Sequence, residues 1–482
     1  MLLARTNQKF AVAVIYIVSM LMNSIDSTVV NVALPTLSRE FGVSPAAIEG
    51  VIVGYLVSLA VFIPASGWLG DRFGYKRVFL CALFVFTLAS TLCGFAQTLD
   101  QLILFRVLQG AGGGCLTPVG MALLYRTFPP EERIGVSRIL MFATIIGPAS
   151  GPILGGLMIE HFTWRWIFFV NVPIGITALI FGILCLQDNS DRVDDPFDVP
   201  GFLLAGAGFA SFMYALSEGA SHGWLSPSII VTGVVGLLLL SAFVWVELHT
   251  NRPMVKLQVL GNRLFRTTIT VSFFSTAAFM GTLFTVPLFL QEGVGVSPLT
   301  SGLTVFPEAI GVVVSTQVVA RVYPRVGPAR LMGFGLVWVS IVLATLSFVP
   351  LSGSLWVFRG LMFALGCGMA CIFVSNQAAA LGTISRADTG RASMLMSVQR
   401  QIGAATGVAV VSSVLAAIGL FDALGPNHRA YQVAFLTAAG IALVGSVFAT
   451  LVPDADAAVT MIDPSRRRKT TAPEPVASSS GG

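Results

Sequence analysis

Apolar runs of close to twenty residues follow one another along most of this 482-residue chain. An α-helix needs about 20 apolar residues to cross a bilayer. Charged residues make up only 11% of the chain, whereas soluble globular chains average about 25%. The sequence therefore predicts an all-α polytopic membrane protein.

Charged and Pro-bearing breaks divide the chain into fourteen predicted spans. The first run lacks a small-residue cleavage pattern after a short apolar core, so it is interpreted as a retained span rather than a signal peptide. The predicted spans lie at residues 10–34, 47–69, 78–97, 101–125, 134–159, 165–186, 200–217, 228–247, 267–290, 300–320, 331–350, 355–382, 393–419 and 430–452.

The distribution of Lys and Arg predicts the orientation. If the N-terminus lies in the cytoplasm, 23 of the 28 basic residues fall on cytoplasmic loops and ends. The opposite side holds only Arg39, Arg165 and Arg429, while Arg106 and Arg359 fall within spans. This asymmetry follows the positive-inside rule and predicts that both termini are cytoplasmic. The net charge of +5 then reflects topology, and nucleic acid is not an expected partner.

Motifs in the first part of the chain recur in the second part at nearly one offset. GDRFGYKR (70–77) recurs as YPRVGPAR (323–330), and LFRVLQGAGGG (104–114) aligns with VFRGLMFALGC (357–367), both shifted by 253 residues. This repeat equates spans 1–6 with spans 9–14 and leaves spans 7 and 8 as an inserted pair. Transporters built from two such halves bind substrate between them near mid-membrane.

The repeat predicts four parts of the chain. They are a six-helix bundle at 1–186, a linker with two additional spans and a cytoplasmic amphipathic segment at 187–264, a second six-helix bundle at 265–452, and a disordered cytoplasmic tail at 453–482.

Two charges of the first half, Asp26 and Arg106, are costly where they lie within the predicted spans. Asp26 lies well within the first span, where an ionised Asp costs about 2.5–3.5 kcal/mol at a helix centre. It must be protonated, paired or facing water. Each of these options predicts a role in binding or moving ions or substrates. Arg106 in span four could pair with such a carboxylate, or its side chain could extend to the nearby membrane surface.

Glu308 in span ten is the other carboxylate deep within a span. Pro307 beside it predicts a local bend. Contact with substrate, a second proton-carrying role and burial against an Arg are the alternatives for Glu308.

A charged loop joins spans two and three. Its glycines allow tight turns and close helix approach, and its charges could hold one cytoplasmic seam shut; an ordinary basic loop is the alternative. The second-half counterpart has Pro324 where the first half has its Asp, so a latch there would lack that carboxylate. The candidate latch residues are Gly67, Gly70, Asp71, Arg72, Gly74 and Arg77.

Span five carries glycines four residues apart on one helical face, with prolines on a neighbouring face. Small residues at this spacing let helix backbones pack closely, and prolines bend a helix. The motif is interpreted as a hinge and proton seal, with plain packing as the alternative. Its residues are Gly147, Pro148, Gly151, Pro152, Gly155 and Gly156.

Signatures of other functional classes are missing from the sequence. There is no G-x-x-x-x-G-K-[ST] motif for nucleotide binding. Four isolated His residues and six Cys within apolar runs predict neither an enzyme nor a metal site. We expect no cofactor.

Five stretches together resemble the major facilitator superfamily, and specifically its fourteen-span drug:proton antiporter branch. The resemblance covers all fourteen spans, and the last stretch with the inserted pair favours this branch over twelve-span relatives. The stretches are IDSTVVNVALP (25–35), GWLGDRFGYKR (67–77), LFRVLQGAGGG (104–114), GPASGPILGG (147–156) and WRWIFFVNVPIG (164–175).

The resemblance implies two six-helix bundles plus two inserted helices, and export of hydrophobic, often cationic compounds in exchange for protons. It also implies a monomer in a bacterial inner or plasma membrane, in contact with lipids. Whether an envelope adaptor protein is a partner is left open. In some members of that branch an acidic residue in span ten recognises cationic substrates, and the resemblance carries that role to Glu308.

These observations together predict a mechanism. Protons from outside and drug from the cytoplasm or inner leaflet would compete for Asp26 and Glu308, with Arg106 assisting proton coupling. Asp26 is thus assigned to proton coupling and, with Glu308, to substrate binding. The alternatives are export of one defined metabolite, antibiotic, siderophore or lipid, or a non-transporting scaffold or sensor.

Overall fold

The structure is a computed structural model that describes residues 2–48, 50–127, 147, 150–187, 198–250, 257–380, 383–384, 389–422, 425–457 and 461. These residues form seventeen α-helices. In chain order they are α1 (Leu2–Phe41), α2 (Pro45–Ile48), α3 (Gly50–Phe73), α4 (Tyr75–Phe95), α5 (Leu99–Thr127), α6 (150–161), α7 (Trp166–Phe169), α8 (Asn171–Cys185), α9 (Val199–His222), α10 (Pro227–His249), α11 (Arg263–Leu288), α12 (Pro298–Val305), α13 (Pro307–Val326), α14 (Pro328–Ser347), α15 (Leu355–Ala380), α16 (Thr389–Ile418) and α17 (His428–Ala449).

Short elements fill some of the connections. A 3₁₀ turn at Leu257–Gly261 precedes α11, and a π-helical turn at Phe289–Gly293 ends it. The two-residue strands β1 (Phe421–Asp422) and β2 (Gly425–Pro426) pair antiparallel between α16 and α17. The protein is therefore all-α, as predicted.

Thirteen helical segments among the described residues are long and apolar enough to cross a bilayer. They correspond to thirteen of the fourteen predicted spans. The other, predicted at 134–159, lies mostly outside the described residues; its described end belongs to α6.

Span ten is interrupted at Phe306, between α12 and α13. Pro307 has no backbone N–H to donate, so it cannot continue the hydrogen-bond ladder of the preceding helix. The helix is therefore interrupted at the proline where a bend was predicted. This interruption places Glu308 in the first turn of α13.

The two halves repeat the same helix crossing. In the first half, a Cβ built on Gly110 of α5 would lie 2.8 Å from the Ser58 Cβ of α3. In the second half, a Cβ on Gly311 of α13 would lie 2.2 Å from the Phe363 oxygen of α15. A shift of 253 residues maps Ser58 onto Gly311 and Gly110 onto Phe363. The sequence repeat is therefore also a repeat of contacts.

The start of the tail differs from the predicted disorder. Residues 453–457 follow α17 in turns, and Ala457 is fully buried. The Asp454 carboxylate accepts a hydrogen bond from the Ala329 N–H at 3.0 Å, which caps the N-terminus of α14. The second-half loop, predicted to lack a carboxylate because of Pro324, therefore receives one from the end of the chain.

Candidate functional site

Asp26 of α1 is fully buried and forms an ion pair with Arg106 of α5. The Arg106 Nη1 atom lies 2.5 Å from the Asp26 Oδ2 atom. The Arg106 side chain is only 1% exposed, so it does not extend to the membrane surface. Each of these charges is costly alone in an apolar interior, and the pair compensates for part of that cost.

Two amide side chains complete the surroundings of the Asp26 carboxylate. Gln109 Nε2 and Asn171 Nδ2 donate to Asp26 Oδ1 at 2.8 and 2.9 Å. Asn171 also donates to Ser90 Oγ at 3.1 Å. Since the three hydrogen-bonding partners of Asp26 among the described residues are all donors, a protonated Asp26 would have to find an acceptor by moving one of them.

Arg106 is held by further contacts within the same half. Its Nη1 donates to Gln109 Oε1 at 2.9 Å, and its Nε donates to the Val51 carbonyl at 3.3 Å. Its guanidinium lies 4.0 Å from the centre of the Tyr55 ring, a cation–π contact. The Tyr55 hydroxyl in turn donates to Asn23 Oδ1 at 2.5 Å. Helices α1, α3, α4, α5 and α8 thus share one buried polar network.

Glu308 lies in different surroundings. It is 8% exposed and lines a small cavity. Among the described residues, its carboxylate has no hydrogen-bond or ion-pair partner. The cavity lies between the two halves and is lined by Thr28, Asn31, Val32, Pro152, Phe279, Leu283, Pro287, Val305, Phe306, Glu308 and Ala309.

The structure does not bring the two carboxylates into one pocket, contrary to the predicted shared site. Asp26 is enclosed by donors of its own half, whereas the α1 wall of the Glu308 cavity consists of Thr28, Asn31 and Val32. Thr28 is only two residues beyond Asp26 on the same rigid helix. The two acidic groups are therefore linked through α1 rather than through a common cavity.

The span-five glycines pack against both halves. A Cβ built on Gly151 would lie 2.0 Å from Thr28 Oγ1, and one on Gly155 would lie 2.9 Å from Val29 Cγ2. Gly147 likewise faces Ser24 of α1. Gly156 instead faces the α12 backbone, where its Cβ would lie 2.5 Å from Leu299 Cα. Close approach is therefore required at these glycines.

Two further features concern this motif. Pro148 lies outside the described residues, whereas Pro152 lines the Glu308 cavity. At the end of α6, Glu160 Oε2 accepts hydrogen bonds from Ser297 Oγ at 3.0 Å and from the Leu299 N–H at 3.3 Å. The first half thus caps a helix of the second half at the predicted outer end.

The candidate latch loop is a tight turn between α3 and α4. Gly74 has φ +93°, which favours glycine, and a Cβ on Gly70 would lie 2.7 Å from the Tyr75 ring. Gly67 faces open space. Arg72 and Arg77 are exposed, and the Asp71 side chain lies outside the described ones.

Sequence reasoning missed several polar contacts of the candidate site. Gln109 lies three residues after Arg106 on the same helical face, so its spacing could have revealed it. Asn171 is a polar residue within an apolar stretch. Lys76 of the loop donates to the carbonyls of Ile183 (3.3 Å) and Leu186 at the end of α8, where a cation is favourable. The described residues hold no group of three or more His, Cys, Asp or Glu side chains placed to share a metal ion.

Two related helical halves, bilayer-length helices and a carboxylate facing a cavity between the halves define a polytopic membrane transporter. The chain belongs to the Major Facilitator Superfamily, because that family's model matches residues 16–408 and 272–478. The predicted family is confirmed.

Individual relatives agree with this assignment. The chain is 32% identical to a putative multidrug resistance protein MdtD of Klebsiella pneumoniae, over 90% of this chain and 92% of that protein. It is also 32% identical to a multidrug resistance protein B homolog of Mycobacterium tuberculosis, over 83% of this chain and 75% of that protein. The crystal structure of the human organic anion transporter MFSD10 (TETRAN) superposes with TM-score 0.60 over 92% of this chain and 99% of that one. At 14% identity that likeness shows the fold alone.

Proposed function

We propose that this protein is a proton-driven multidrug exporter that works by alternating access. The single observation that carries the proposal is the ion pair of Asp26 and Arg106, buried beside a cavity that lies between the halves and contains Glu308. Relatives named as multidrug resistance proteins support the substrate class. The bias of Lys and Arg supports cytoplasmic termini in a bacterial cell membrane.

Proton exchange at Asp26 would change the arrangement of α1. Protonation removes the anion that Arg106 contacts and requires an acceptor for the new O–H group. Rearrangement of α1 would then move Thr28 and Asn31, which line the Glu308 cavity. Protonation in one half would in this way alter a binding cavity shared by both.

Glu308 would recognise cationic drugs. A carboxylate that has no protein partner in its cavity can offer its oxygens to a cation, and Phe279 and Phe306 supply aromatic walls. The driving force is roughly 1.4 kcal/mol per pH unit plus about 2.3 kcal/mol per charge per 100 mV. No covalent chemistry, cofactor or second subunit is needed for this cycle.

The test is efflux from liposomes that contain the purified protein and carry an imposed proton gradient. Ethidium, a monocation, and propidium, its dicationic relative, serve as matched probes. We expect Asp26→Asn to abolish gradient-driven movement of both probes. Glu308→Gln should weaken propidium transport more than ethidium transport.

Asp100→Asn is the matched control, because Asp100 is an exposed carboxylate in the first turn of α5. It should transport both probes like the wild type. Gradient-driven efflux that persists in Asp26→Asn would refute the proton role of Asp26. Equal loss of both probes in Glu308→Gln would refute charge recognition by Glu308.

A further inference from the structure

Asn31 of α1 brings an amide side chain to the wall of the Glu308 cavity. The residue is only 6% exposed, and within the described part of the chain its amide has no hydrogen-bond partner. Buried side-chain polar groups are nearly always hydrogen-bonded in proteins. An amide that is buried, unpartnered and set in a cavity wall is therefore available to a ligand in that cavity.

The cavity brings this amide and the Glu308 carboxylate together from opposite halves. Asn31 belongs to the first half and Glu308 to α13 of the second half, and both line the same cavity. Gln291 holds α1 in place at this level, because its Nε2 atom donates to the Val32 carbonyl at 3.0 Å. Val32 follows Asn31 directly and also lines the cavity. A ligand that hydrogen-bonds to both Asn31 and Glu308 would link the two halves.

The described polar groups around the cavity offer more acceptors than donors. An ionised carboxylate such as that of Glu308 only accepts hydrogen bonds. Thr28 adds no donor, since its hydroxyl donates to the Ser24 and Ile25 carbonyls of its own helix at 3.1 and 3.2 Å. The buried Oε1 atom of Gln291 is a further acceptor, and it has no partner among the residues that the structure describes.

Two prolines add acceptors on the backbone. Proline lacks the N–H group that would bond to the carbonyl four residues earlier in a helix. Pro35 of α1 leaves the carbonyl of Asn31 without that donor, and Pro287 of α11 does the same for the carbonyl of Leu283. Asn31 and Leu283 both line the cavity. These surroundings therefore favour a ligand that brings N–H groups of its own.

We propose that Asn31 and Glu308 form a two-point recognition site that selects cations with N–H groups over cations whose nitrogens are fully alkylated. This proposal rests on the proposed function and names a substrate class for the same cavity. The carboxylate attracts the positive charge of either kind of cation, whereas the Asn31 oxygen gains a hydrogen bond only from an N–H group. Primary ammonium, iminium, amidinium and guanidinium groups meet this requirement, and quaternary ammonium groups do not.

The test uses two fluorescent monocations that share one scaffold. Rhodamine 123 carries N–H groups at both ends of its xanthene ring system, and tetramethylrhodamine methyl ester carries N-methyl groups there instead. Binding of each dye is measured by fluorescence anisotropy on the purified protein in dodecyl maltoside. Asn31→Leu should raise the Kd of rhodamine 123 about fivefold, the loss of one hydrogen bond, and leave the Kd of tetramethylrhodamine methyl ester unchanged. Asn31→Ala, which cannot overfill the cavity, should show the same selective loss.

Two further variants separate hydrogen bonding from charge and from general effects of substitution. Glu308→Gln removes the charge and should weaken the binding of both dyes. Gln317→Leu is the matched control, because Gln317 is an exposed amide of α13 that does not line the cavity. It should bind both dyes like the wild type.

Equal changes for both dyes in the Asn31 variants, or no change for either, would overturn the recognition site. A greater loss for tetramethylrhodamine methyl ester than for rhodamine 123 would overturn it as well. Gradient-driven efflux of ethidium from liposomes is measured separately on the wild type. Efflux without the dye selectivity refutes the recognition site alone, and selective binding without efflux refutes the exporter function alone.

Discussion

The buried ion pair allows a quantitative prediction for Asp26→Asn. The asparagine must present its NH₂ group either to Arg106 or to the two amide donors, Gln109 Nε2 and Asn171 Nδ2, which lie 2.8 and 2.9 Å from Asp26 Oδ1. A flip of the Gln109 amide would present its oxygen to the new asparagine. The same flip would turn its NH₂ group toward Arg106, because the Oε1 atom that moves away now accepts from Arg106. The substitution therefore leaves the buried Arg106 cation without its anion. It also makes N–H donors face one another with no acceptor between them.

Removal of one partner of a buried ion pair costs about 3–5 kcal/mol. We expect the lower end, because Arg106 retains the Gln109 and Val51 oxygens as acceptors. The double variant Asp26→Asn/Arg106→Gln removes the unpaired charge and should be more stable than Asp26→Asn alone. The cycle of the two single variants and the double variant should give a coupling of about 2 kcal/mol.

Unfolding of the purified protein by SDS titration in micelles measures these differences, with Asp100→Asn as the exposed-carboxylate control. The reasoning is refuted if Asp26→Asn unfolds within about 0.5 kcal/mol of the wild type, the range of ordinary surface substitutions. It is also refuted if the effects of the two single variants are additive, since residues in one ion pair should couple.

Three further substitutions test the helix contacts. Gly151→Ala places a methyl group against α1 and should destabilise the protein by about 1–3 kcal/mol in the same SDS titration. Its control is Gly67→Ala. Gly67 belongs to α3 and faces open space, so this substitution should be neutral or slightly stabilising. Asp454→Ala removes the cap of α14 and should cost about 1 kcal/mol; the exposed Asp456→Ala is its control, and equal effects would exclude the cap as the cause. Glu160→Ala removes the contact between the halves at the predicted outer end and should speed labelling of a cysteine introduced in that seam, which an unchanged labelling rate would contradict.

The sequence predicts the spans and the costly charges because both depend on local composition. Asp26 and Arg106 are each conspicuous in an apolar run, but they are 80 residues apart, and helical periodicity relates only residues within one helix. Their pairing depends on how α1 and α5 pack. The face on which Glu308 lies was likewise not predictable, since it depends on the interruption at Phe306. The capping of α14 by Asp454 was not predictable. The polar composition of the tail indicates disorder for the whole segment, and it does not show that one residue packs against a helix.

The repeat also explains why the two acidic residues have different surroundings. The shift of 253 residues maps Asp26 onto Phe279 and Tyr55 onto Glu308. The second half therefore has an aromatic ring where the first half has its buried carboxylate, and a carboxylate where the first half has the ring that covers Arg106. Phe279 and Glu308 line the cavity together, whereas Asp26 is closed off by donors. The first half thus holds its acidic group within a buried polar network. The second half directs its acidic group into the cavity between the halves. In the proposed proton-driven export, this asymmetry would separate the carboxylate that exchanges the proton from the carboxylate that binds the cation.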